Sequence, residues 1–80
     1  MPTVFRQDGF RFFFYSNEGN PREQIHVHVM GAGGEAKLWV RPVSVARSAG
    51  FDARNLKRIA QIVALNAARI EEAWHDHFSD

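Results

Sequence analysis

The sequence has no cysteine. That excludes disulfides and thiolate metal centres, and it fits a reducing, cytoplasmic setting. It has no run approaching the roughly 20 apolar residues that a membrane-spanning helix needs. The leading Met1-Pro2-Thr3-Val4 lacks the charged and apolar regions of a signal peptide, so neither export nor a membrane partner is expected. There is little excess charge. Ten Lys and Arg stand against nine Asp and Glu, a net charge of +1. Total charge therefore argues neither for nor against nucleic acid, and its distribution has to decide. Repeats, linkers and low-complexity segments are also absent. What remains is 80 residues with 45% hydrophobic side chains, including seven Phe and two Trp. That supports one domain over 1–80 with a small core of its own.

The most informative stretch is Ile25-His26-Val27-His28-Val29. Strict alternation with period two reads as a half-buried strand. Ile25, Val27 and Val29 then face a core. His26 and His28 face away together, about 7 Å apart. Upstream, Val4 to Gln7 and Phe10 to Tyr15 flank Asp8-Gly9, a two-residue hairpin signal. That turn sets Gln7 opposite Phe10, Arg6 opposite Arg11 and Phe5 opposite Phe12. Phe5, Phe10, Phe12 and Phe14 share the core face, whereas Arg6, Arg11, Phe13 and Tyr15 take the other. Ser16 to Gln24 reads as a polar surface loop. After a turn at Gly31 to Gly34, Ala36 to Arg41 alternates again, with Lys37, Trp39 and Arg41 outward. Pro42 ends that strand. Val43 to Ala49 is open between a short strand and a helical turn.

Asp52 is a suitable N-cap, with Phe51 and Leu56 spaced for a hydrophobic staple. Leu56, Ile59, Ala60, Val63, Ala67, Ile70, Trp74 and Phe78 follow helical spacing, which predicts one helix from about Ala53 to about His77. The expected fold is α+β: a four-stranded antiparallel meander with one long C-terminal helix packed on one face. Such a helix measures about 37 Å against a sheet under about 20 Å wide. It must overrun the sheet or bend, and Asn66 is the place for a bend.

The segments Phe10-Arg11-Phe12-Phe13-Phe14-Tyr15-Ser16-Asn17-Glu18, His26-Val27-His28-Val29, Ala36-Lys37-Leu38-Trp39, Gly50-Phe51 and Glu72-Ala73-Trp74 together identify a likeness. The chain resembles the small bacterial proteins grouped as domain of unknown function family 4160, over nearly its whole length. Such proteins are commonly encoded beside a second small protein, in toxin–antitoxin-like pairs. The resemblance therefore implies a toxin-like role and an antitoxin-like protein partner. Members usually carry Pro just before the His-x-His, where this chain has Gln24-Ile25 and places Pro21 further upstream.

The meander collects Arg6, Arg11, Phe13, Tyr15, His26, His28, Lys37, Trp39 and Arg41 on a sheet face without a helix. Cations that track phosphates and rings that stack on bases suit single-stranded RNA. Arg6, Tyr15, Trp39 and Arg41 are the candidate RNA contacts. His26 and His28 are placed to flank a phosphodiester, one as base and one as acid. Arg11 or Lys37 would stabilise the developing charge. The sharp reading is a metal-independent ribonuclease with no cofactor. The bland one is a solvated sheet face. A His-x-His also suits Zn or Fe, but only Glu18 offers a nearby third ligand, so no metal site is assigned. His75 and His77, two apart on a helix, diverge by about 200° and cannot share a metal. Ile62 and Leu65 lie about 120° and 180° from Leu56 on the helix, which marks them as contacts for a homodimer or a protein partner. The alternative to a toxin-like RNA binder is a non-catalytic protein–protein interaction module.

Overall fold

A two-residue turn whose residues both need positive φ organises the first hairpin. Asp8 and Gly9 adopt φ 56° and 82°, joining β1 (Thr3–Gln7) to β2 (Phe10–Phe13). Arg6 faces Arg11, Phe5 faces Phe12 and Gln7 faces Phe10, the register that the turn dictates. The structure is a computed structural model, and it describes residues 3–16 and 23–78. Most of the Ser16 to Gln24 loop, Glu18 included, lies outside the described residues.

The chain continues as β3 (His26–Gly31), β4 (Gly34–Val40) and β5 (Val43–Ala49). The five strands form one antiparallel sheet in sequence order. The meander thus has five strands, not four. Its last strand is hidden in the sequence by a bulge. Lys37 faces Arg47 and Leu38 faces Val45, which leaves Ala46 as an extra residue. One extra residue breaks the period-two alternation that would have revealed the strand.

Asp52 caps the C-terminal helical segment, accepting from the Asn55 backbone N–H at 2.8 Å. The single long helix expected from the spacing is two: α1 (Ala53–Leu65) and α2 (Ala67–Phe78). Asn66 separates them. Its backbone N–H is shared between the Ile62 and Val63 carbonyls, and its side-chain Nδ2 donates to the Ile62 carbonyl at 2.8 Å. An Asn side chain that competes for helix carbonyls bends the helix there. The dimensions of the molecule show the bend. A straight helix over 53–78 would measure about 39 Å, beyond the 34 Å longest extent of the molecule.

Both helices pack on the phenylalanine face. Phe5, Phe10, Phe12 and Phe14 are buried with Val27, Val29, Leu38, Ile59, Val63, Ile70 and Trp74. Arg58 Nε of α1 reaches back to Asp8 Oδ2 at 2.7 Å and ties the helix to the first turn.

Ile62 corrects an expectation. It is 0% exposed and belongs to the core, so it is no partner contact. The buried stripe of α1 centres on Ile59 and Val63 rather than Leu56, and Ile62 lies only about 60° from Ile59 at 100° per residue. Leu65 lies about 120° from Ile59 on that wheel and is 79% exposed. Ile62→Ala is expected to lower the unfolding free energy by about 2–5 kcal/mol. Leu65→Asp should lower it by less than about 1 kcal/mol. Urea titrations of the two variants check this, and equal losses would refute the packing described.

Candidate functional site

The strand register lays side chains in cross-strand rows on the sheet face turned away from the helices. One row runs Thr3, Phe13, His28, Lys37 and Arg47; the next runs Arg6, Arg11, Met30, Glu35 and Ala49. His26 and Trp39 face each other in a third row. The sequence-predicted Arg6, Arg11, Tyr15, His26, His28, Lys37 and Trp39 are therefore brought to one side, as alternation requires.

Arg41 is not among them. β4 ends at Val40, and the chain turns through a cis Arg41-Pro42 peptide. Alternation no longer governs Arg41, whose Nε donates to Glu71 Oε1 of α2 at 2.9 Å. It pins a turn to a helix and leaves the face.

The histidines are also not open to solvent as expected. His26 is 0% and His28 5% exposed. Rings account for this. His28 stacks on Phe13 with centroids 5.7 Å apart and meets Tyr15 edge-on at 4.5 Å. His26 lies 5.2 Å from His28, 5.6 Å from Trp39 and 5.0 Å from Trp74 of α2. Trp74 reaches His26 at a corner of the sheet. There β2 has already stopped, so His26 has a partner on β4 but none on β2. His26 Nδ1 lies 2.9 Å from the Gln24 carbonyl oxygen. A carbonyl only accepts, so this nitrogen carries the proton and the ring is locked.

Cations are interleaved with these rings. Lys37 Nζ lies 4.6 Å over the Trp39 ring, and the Arg11 guanidinium lies 4.6 Å over Phe13. Lys37 is also 3.5 Å from Glu23 Oε1, and Arg11 Nε donates to Thr3 Oγ1 at 2.8 Å. These contacts hold both long side chains flat along the face.

A cavity of about 130 Å³ opens between the first two rows, bounded by Phe13, Tyr15, His28, Met30, Glu35 and Arg47. Glu35, Met30 and Arg47 were not singled out from the sequence. Glu35 stands two residues before Lys37 in the same alternation, a signal that was there to be read. Arg47 had none, because its strand was hidden. Among the described residues no cluster of three or more His, Asp or Glu is arranged to hold a metal ion. No described helix is long and apolar enough to cross a membrane.

A family model described as Domain of unknown function (DUF4160) matches residues 9–75. No curated protein and no solved structure gives a significant match.

His26 is as much a packing residue as a polar one. His26→Ala is expected to lower stability by about 2–4 kcal/mol, through the cavity left among three rings and the unpaired Gln24 carbonyl. Arg41→Ala, which breaks an exposed ion pair, should lower it by no more than about 1 kcal/mol. Equal urea midpoints for His26→Ala and the unmutated protein would contradict the described burial.

Proposed function

The chain belongs to the DUF4160 family, and we propose that it is the toxin-like member of a two-protein pair, binding single-stranded RNA in the cytoplasm. The RNA lies on the sheet face opposite the helices. The observation that carries this reading is the pairing of cation with ring in adjacent rows: Lys37 over Trp39 and Arg11 over Phe13. Single strands are held in this way, with phosphates on cations and bases on rings. Arg6 stands directly opposite Arg11, and an anion between them relieves their repulsion.

Binding is the reading adopted, ahead of cleavage. Acid–base cleavage by His26 and His28 needs both rings against one phosphodiester. His26 is covered and His28 borders the cavity. We therefore assign His28 as the ring placed to meet a substrate, with Lys37 beside it in the row, and His26 as the ring that positions His28. The exposed Leu65 favours a protein contact on the far side of the molecule, where an antitoxin-like partner or a second copy would dock.

Fluorescence polarisation with short labelled RNA strands tests the reading. Affinity should fall as salt rises. Arg6→Ala and Lys37→Ala should weaken binding of all sequences alike, each flattening the salt slope by about 0.7. Trp39→Ala should lower affinity by about 1–3 kcal/mol. If no strand shows salt-sensitive affinity, the protein–protein interaction module becomes the better account.

A further inference from the structure

Glu35 and Arg47 border the same cavity from β4 and β5. Glu35 stands opposite Ala49, and Arg47 stands opposite Lys37. The two are thus diagonal neighbours on one face, about 7–8 Å apart at the backbone and within mutual reach. They are not paired. Among the described residues neither side chain makes a hydrogen bond or ion pair, to the other or to any other group. A carboxylate and a guanidinium on neighbouring strands at one cavity offer acceptors and donors to a third group. The opposite wall of the cavity is aromatic: Phe13, Tyr15 and His28. The volume of about 130 Å³ is on the scale of one flat ring system.

We infer that this cavity takes a single guanine base from the bound strand, an inference that rests on the RNA reading above. Guanine is the base that matches both charges at once. Its Hoogsteen edge carries two acceptors, N7 and O6, the pair that an arginine reads with two parallel hydrogen bonds. Its Watson–Crick edge carries two adjacent donors, N1–H and the N2 amino group, which meet the two oxygens of a carboxylate. Adenine sets a donor beside N7 and so repels the guanidinium. Cytosine and uracil lack the paired donors. Arg47 holds one edge, Glu35 the other, and the ring lies against Tyr15, the partly exposed ring of the aromatic wall. A single strand exposes its bases for such insertion without breaking a duplex.

The test compares four otherwise identical short RNA strands by fluorescence polarisation, with guanosine, inosine, 7-deazaguanosine or adenosine at one central position. Inosine lacks the N2 amino group that faces Glu35, and 7-deazaguanosine lacks the N7 that faces Arg47. The unmutated protein should bind the guanosine strand on the order of tenfold more tightly than each of the others. Glu35→Gln should lose the preference for guanosine over inosine and keep its preference over 7-deazaguanosine. Charge alone predicts a different result, because removal of a carboxylate from a phosphate-binding face raises affinity for every strand alike. Salt-sensitive binding of all four strands with equal affinity overturns the guanine inference and leaves the RNA reading intact. No salt-sensitive binding of any strand overturns the RNA reading, and the guanine inference with it. Free guanosine monophosphate binding as tightly as the guanosine strand overturns a strand as the occupant.

Discussion

Trp74 is the side chain on which both halves of this molecule depend. On the core side it packs against Phe14, with centroids 5.3 Å apart, and against Phe78 at 4.4 Å. On the other side it meets His26 at 5.0 Å. A buried tryptophan contributes a large apolar area in one rigid piece, and its edges and faces satisfy several ring contacts together. Its position requires the break at Asn66. α1 crosses the later strands, and only a change of direction brings α2 to the corner where β2 stops. The local rule broken at Asn66 is offset by the tertiary contacts of Trp74.

That corner links fold to site. The rings continue from Trp74 through His26 and His28 to Phe13 and Tyr15. Each ring limits the rotamers of the next, so the wall of the cavity is set by packing rather than by loop conformation. A recognition surface gains from such rigidity, because little side-chain freedom is lost when a ligand arrives. It also changes what the histidines are. On an open sheet they would be solvated acid–base groups. Packed among tryptophan, tyrosine and phenylalanine, they form part of the wall, and one of them is locked by a backbone carbonyl.

The long side chains of the face follow the same principle. Lys37 and Arg11 lie over rings instead of extending into water. Their charge stays near the surface and their stems cover apolar area. Arg6, Glu35 and Arg47 differ: among the described residues their side chains lie over no ring and form no ion pair, and the last two stand at the rim of a small cavity.

Much of this was legible in the residues themselves. The Asp8-Gly9 hairpin, its register, the four phenylalanines of the core face and the Asp52 cap follow from φ preference, pleat and capping, which act over a few neighbouring residues. The side of the sheet on which His26, His28, Lys37 and Trp39 stand follows from alternation alone. Burial does not. His26 is covered by a tryptophan 48 positions away, and no local period announces that contact. Ile62 lies in the core rather than on a free face because the centre of a helix stripe depends on where the helix sits on the sheet. Arg41 left the face because a turn released it from the pleat. β5, and with it Arg47 and the cavity, stayed hidden behind one bulged residue. Direction is a local property of the chain, whereas depth is decided by what the rest of the fold places on top.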